Sequence, residues 1–275
     1  MGTSTSSTGP SSGVSLDPPW LDDVVGEIGG GSTVVPNDGD PPAPPSAPNG
    51  DAPPNRYGDA RREFGKFART GDTRHLRNAV AHYSRRGSGG ASATAGRMRA
   101  STSAGAALFS FLNAVSQGTT GELRKWVDDL RASNPSAEDV VDAIVRELAP
   151  PGGSADEESF RDAMDLAVSE LIRDDPTIDP LSMGVDDIWE LLKGFLAIET
   201  GNRLCFDLGP IFEGSQLDPR TVVLREKEMR RFLKNEIGAH VDMLRGSVAN
   251  PSRSQLDSIL QDALKMTFEL FEADL

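Results

Sequence analysis

From Tyr57 onward, apolar residues recur at helical spacing, and ahead of it they do not. The stretch DARREFGKFARTG places Phe64 and Phe67 on one side of a short helix that stops near Gly71. Asp72 is the expected N-cap of the next helix, where Leu76, Ala79, Val80 and Tyr83 form an i, i+3, i+4, i+7 face ending at Gly87. After the small-residue run GSGGASATAG, a helix is expected through AGRMRASTSAGAALFSFLNAV, with Ala104, Leu108, Phe111, Leu112 and Val115 on one side. Its alanines, serines and glycines permit close approach of a second helix or a ligand. Thr120 caps a predicted helix carrying Leu123, Trp126, Val127 and Leu130. Ser136 with Asp139, and Ser154 with Glu157, read as capping boxes for two more, the first stopped by Pro150 and Pro151. Further helices follow through Ile188–Leu196, from about Pro219 to Leu244, and from Leu256 to Phe271, with a break near Gly209 and Pro210. No stretch alternates as a strand does. The expected fold is therefore all-α, a multi-helix bundle of antiparallel neighbours over 57–275.

The first fifty-six residues read differently. Residues 1–20, MGTSTSSTGPSSGVSLDPPW, carry no charge and no large apolar side chain between Gly2 and Gly13. Such a segment buries too little surface to offset the entropy of ordering, so it is expected to be a disordered tail. It ends in Pro18, Pro19 and Trp20, a stiff step with one large aromatic suited to a partner's pocket. Residues 21–56 form an acidic Pro/Gly-rich linker, extended where prolines cluster. Within it Val24, Val25 and Ile28 suit a helical turn on a partner, a brief strand, or plain linker.

Charge divides the chain three ways. Residues 1–55 hold seven acids and no base, 56–105 eleven bases against three acids, and 106–275 seventeen bases against thirty-two acids. The acidic body disfavours broad nucleic-acid binding. The basic block suits either an anionic partner or the chain's own acidic helices, and Arg85 and Arg86 are its candidate anion or partner contacts. The single cysteine, Cys205, rules out an internal disulfide framework. With no secretory pattern and no apolar run of membrane-spanning length, the expected location is the cytoplasm.

Little in the body suggests catalysis or a cofactor. His75, His82 and His240 are expected to be packed or surface residues, and no HExxH or CxxC spacing marks a metal site. Cys205, among Leu204, Phe206 and Leu208, reads as an inert buried thiol. RRGSGG lacks the ending of a phosphate-binding P-loop. Paired acids such as Asp186 and Asp187 suit helix starts. At the amino end, MGTSTS satisfies the permissive myristoylation pattern, though one acyl chain binds membranes only marginally.

Two stretches carry a resemblance. The opening MGTSTSSTGP with the following DPPW, and FGKFARTGD…LRNAVAHYSRRGSGG further on, resemble the QatB family of the bacterial Qat anti-phage system. That resemblance implies a non-enzymatic component whose tail is bound by a QueC-like partner enzyme. The partner would attach a deazaguanine-type nucleobase to the amine of Gly2. Gly2, Thr3, Ser4, Thr5, Ser6, Gly9, Pro10, Pro18, Pro19 and Trp20 are then the expected partner-binding residues. The alternative is an unmodified adaptor bridging the system's ATPase and the QueC-like enzyme.

Overall fold

The computed structural model describes residues 56–118, 121–148, 155–209, 212, 217–246 and 251–275. Ten α-helices account for most of them: α1 (Gly58–Thr70), α2 (Thr73–His82), α3 (Ala91–Arg97), α4 (Arg99–Ser116), α5 (Glu122–Ala132), α6 (Ala137–Leu148), α7 (Ala155–Asp174), α8 (Val185–Leu208), α9 (Pro219–Arg245) and α10 (Arg253–Ala273). A single π-helical turn, Tyr83–Ser88, joins α2 to the glycines before α3. Among the described residues there is no strand, so the all-α reading holds.

Local chemistry sets most boundaries. Asp72 Oδ1 accepts from the Arg74 amide 2.9 Å away and starts α2, as expected. Ser136 and Asp139 exchange backbone and side-chain bonds ahead of α6. Gly71 and Gly209, both at positive φ, end α1 and α8 in a conformation that costs glycine no Cβ clash. Two expectations need correction. The second helix does not run unbroken to Gly87: it widens into the π turn from Tyr83, whose last residue is Ser88. The small-residue run does not precede the next helix either. It is already helical from Ala91, and the break falls at Met98, whose side chain is buried and whose sulfur lies 3.8 Å from Thr200 Oγ1. Thr120, Pro150, Pro151, Ser154 and Pro210, and residues 21–55 of the expected linker, lie outside the described residues.

Four helices form the centre, α4, α8, α9 and α10, each touching the next around the ring. Side-chain pairings run antiparallel around the ring: Ser101 meets Glu199 while Ser116 meets Met183, Lys193 meets Asp242 while Gly201 meets Met229, and Phe232 meets Phe271 while His240 meets Thr267. Gly105 lets α4 close on two neighbours. A Cβ there would stand 3.1 Å from Leu260 Cδ1 and 3.4 Å from the Phe195 ring. The close approach anticipated for this helix is therefore to other helices. Phe111, Phe195, Leu233, Leu264 and Phe268 fill the centre at 1% exposure or less. Each such side chain is worth ~1.5–3 kcal/mol of burial. The α1–α2–π–α3 layer covers α10, and α6 and α7 pack outward from α8. Arg77 ties the first layer down, reaching Glu236 at 2.5 Å and Asp274 at 2.8 Å while lying over the rings of Phe232 and Phe271.

Candidate functional site

The lead enters the body at Arg56 and Tyr57, and the fold pins that point. The Tyr57 ring stacks on Tyr83 with centroids 5.4 Å apart, under the Arg56 guanidinium at 4.6 Å. It also lies against Gly87, where any Cβ would be 2.4 Å from the ring. The Tyr57 hydroxyl accepts from Arg97 Nη1 at 3.0 Å. Tyr83 in turn donates to Asp207 Oδ2 at 2.7 Å, and Arg203 Nε reaches the same oxygen at 3.1 Å. Burial pushes the Tyr83 phenol well above its ordinary pKa, and its bond to the Asp207 carboxylate adds to the shift. Arg61 Nε donates to the Leu208 carbonyl at 2.8 Å and so satisfies the carboxyl end of α8.

A groove of about 470 Å³ opens beside this corner. Its length follows one face of α8, where Glu199, Asn202, Arg203 and Phe206 recur at i, i+3, i+4 and i+7. The α3–α4 junction forms one wall, with Arg97 and Ser101, and the first turns of α7 form the other, with Ser159 and Phe160. Glu199 lies at the floor, only 4% exposed. Its carboxylate accepts from Ser101 Oγ and Ser159 Oγ, each at 2.9 Å. Asn202 Nδ2 donates to Ser159 Oγ at 3.3 Å. At the far end Phe206 is 76% exposed, with the Arg203 guanidinium 5.9 Å from its ring. An acceptor-rich floor, guanidinium groups on the rim and an uncovered aromatic ring suit a polar chain segment bearing one flat apolar group.

Cys205 lines this groove as well. Burial pushes its thiol up to about 11, with Glu226 contributing, so at neutral pH it is a protonated thiol and a poor nucleophile. His240 Nδ1 lies 3.0 Å from Thr267 Oγ1, and His75 Nδ1 lies 2.7 Å from Glu63 Oε2. His82 carries a buried Nδ1 without a hydrogen-bond partner, and burial holds its pKa below the usual value. Among the described residues no three potential metal ligands cluster, and no helix is long and apolar enough to cross a membrane.

Of the residues singled out from sequence, Gly2, Thr3, Ser4, Thr5, Ser6, Gly9, Pro10, Pro18, Pro19 and Trp20 lie outside the described residues. Arg86 is exposed and paired with Asp59. Arg85 is exposed and has no partner among the described residues. RRGSGG is the π turn and the two positive-φ glycines after it, joining two helices. The basic block divides: Arg77 engages the body's own acids, Arg62, Arg74 and Arg86 pair with acids inside the block, and Arg69, Arg85 and Arg99 stay exposed without a partner among the described residues. Sequence reasoning did not single out Tyr57, Asp207 or Glu199. For Glu199 a signal existed, a lone acid inside the apolar run FLAIET.

The fold and the groove define an all-helical body with a polar-floored cleft beside its amino-terminal entry point. The chain belongs to the QatB family: the family described as Qat anti-phage system associated protein QatB matches residues 89–271. That span contains the four-helix centre except the last two residues of α10, together with every residue that lines the groove, and it begins where the stretches that first suggested the family end. The chain is thus of the kind that forms one component of a Qat anti-phage system. No curated protein and no solved structure matches it.

Proposed function

We propose that this chain is a non-enzymatic component of the defence complex, whose amino terminus is the working end. In this reading a QueC-like enzyme binds Gly2–Trp20 and joins a deazaguanine-type nucleobase to the Gly2 amine. The reading rests on one observation: a stretch free of charge and bulk, Gly2–Gly13, leads to a body whose entry point is locked beside an open groove. An α-amine has a pKa near ~7.7–8.0, so a useful share is unprotonated at neutral pH without a neighbouring base. Glycine has no Cβ to obstruct a narrow site, and Thr3–Ser6 offer hydroxyls along an extended groove of the partner. The amine nitrogen forms the new bond and loses its proton as the partner's ATP-activated group leaves. The body supplies docking surface and raises the local concentration of the tail.

Intact-mass measurement of the chain co-expressed with the active partner tests this directly. The expected result is a des-methionine chain heavier by one nucleobase adduct, mapped to Gly2. Gly2→Trp should abolish the adduct and leave helical circular dichroism unchanged. An unshifted des-methionine mass, or an adduct surviving in Gly2→Trp, overturns the acceptor role.

The uncovered Phe206 beside the groove favours a second reading, an unmodified adaptor bridging the ATPase and the QueC-like enzyme through the body. Deleting residues 1–20 separates the two. An adaptor acting through its helices keeps defence activity, whereas an acceptor loses it.

A further inference from the structure

On the other side of α8, a second groove of about 610 Å³ runs between α7, α8 and α9. Its floor is small and apolar: Ala167, Gly194 and Ala197, where a Cβ added at Gly194 meets nothing nearer than 3.9 Å. One wall is cationic; Glu170, Asp174 and Glu190 also line the groove, but with Arg173 and the α9 cations against them its lining stays net positive. Lys227, Arg230, Arg231 and Lys234 recur at i, i+3, i+4 and i+7 on α9. These cations are poorly matched within the body. Lys227 and Arg231 are exposed and have no partner among the described residues. Arg230 and Lys234 reach Glu170 and Glu190 only at 3.9 and 3.8 Å. The Arg230 Nε–H is buried with no acceptor, a donor left unmade that ordinarily costs ~1–3 kcal/mol. A cationic wall with an orphaned donor, over an apolar floor, fits a short acidic amphipathic segment.

The chain itself carries one. In LDDVVGEI, Leu21, Val24, Val25 and Ile28 recur at i, i+3, i+4 and i+7, and Asp22, Asp23 and Glu27 fall between them. Residues 1–55 contain no Lys or Arg, so every charge they bring to the α9 wall is favourable. Reach is ample. Met229, next to Arg230, packs against α8 at Gly201, six residues and so about 9 Å along that helix from Asp207, which anchors the Tyr83–Tyr57 stack where the chain enters the body. The tether from 29 to 55 has 27 residues. Extended as polyproline II at ~3.1 Å per residue, a chain of that length reaches up to about 84 Å. We propose that Leu21–Ile28 seats in the α7–α8–α9 groove, its apolar residues on the small-residue floor and its acids against Lys227, Arg230, Arg231 and Lys234. The seat divides the lead in two, a tether and a free end running from Gly2 to Trp20. It stands whether or not Gly2 is modified.

The test is photo-crosslinking in the full-length protein, with benzoylphenylalanine in place of Asn235, an exposed residue lining the groove. Because the lead lacks Lys and Arg, its peptides are mapped with a protease that cuts beside acids. The expected product joins position 235 to the peptide holding residues 21–28 within one molecule, at a yield independent of protein concentration. Lys227→Glu with Arg231→Glu should lower that yield about tenfold, the effect of reversing two exposed charge contacts. Adding Asp22→Lys and Asp23→Lys to that variant should restore it. Four outcomes overturn the seat: no link to the lead, links only between molecules, links to a co-expressed partner instead, or a yield unmoved by the charge reversal. The Gly2 mass shift, read on the same samples, reports separately on the acceptor role.

Discussion

Gly87 and Gly96 lie nine positions apart in the same small-residue region, yet the fold asks opposite things of them. At Gly87 a Cβ would collide with the Tyr57 ring at 2.4 Å, whereas at Gly96, in the exposed part of α3, it would meet nothing within 4 Å. Gly87→Ala should therefore push Tyr57 off Tyr83 and cost about 1–3 kcal/mol, as overpacking does. Gly96→Ala should stabilise by about 0.5–1 kcal/mol through helix propensity alone. Urea denaturation of both variants, with near-ultraviolet dichroism to follow the tyrosine stack, checks the pair. Composition shows both glycines equally well. Which one is irreplaceable depends on a ring thirty residues earlier in the chain, so sequence pattern could not distinguish them.

Helix α7 shows how packing of elements creates a charge problem that no single helix has. Asp165 is exposed on α7, yet partial desolvation and the like charges of Asp142, Asp162 and Glu138 raise its carboxyl above the ordinary 3.8. A raised carboxyl pKa means the folded state holds that proton more tightly than the unfolded chain. The stability this group contributes is present below pH 3.8 and lost as pH rises through its folded value. At neutral pH the ionised Asp165 is a liability. Asp165→Asn should raise the melting temperature at pH 7, and the gain should shrink as the pH approaches 4; calorimetry across that range reads both. Helix existence, faces and the Ser136 cap were legible along this stretch because apolar spacing and a Ser–Asp box are local. The π turn and the Met98 break were not, since both are settled by what Tyr83 and Met98 touch on α8.

At the scale of the molecule, the antiparallel ring of α4, α8, α9 and α10 holds two grooves on different faces of α8, with the lead entering beside one of them. Deleting residues 1–20 removes nothing from that ring, so the truncated chain should keep its helical dichroism and melting temperature while losing the Gly2 adduct. A fall in both stability and helicity would show that the lead is structural. Of the site residues picked out from sequence, only Arg85 and Arg86 fall within the described residues; both are exposed on the π turn, Arg86 paired with Asp59, and neither lines a groove. The groove of Glu199 and the α9 stripe were not visible, because their members lie far apart in the chain.

By itself the sequence determined that the body is helical, where most helices start and stop, and that residues ahead of Tyr57 differ in kind from those after it. These are consequences of period, capping chemistry and composition, all read within a few residues. Only the tertiary structure decided which helices neighbour one another, where the lead is fastened, and which charges are left unmatched on α9. Those depend on contacts such as Tyr83 with Asp207, 124 positions apart, and no local pattern encodes the distance between groups that only folding brings together.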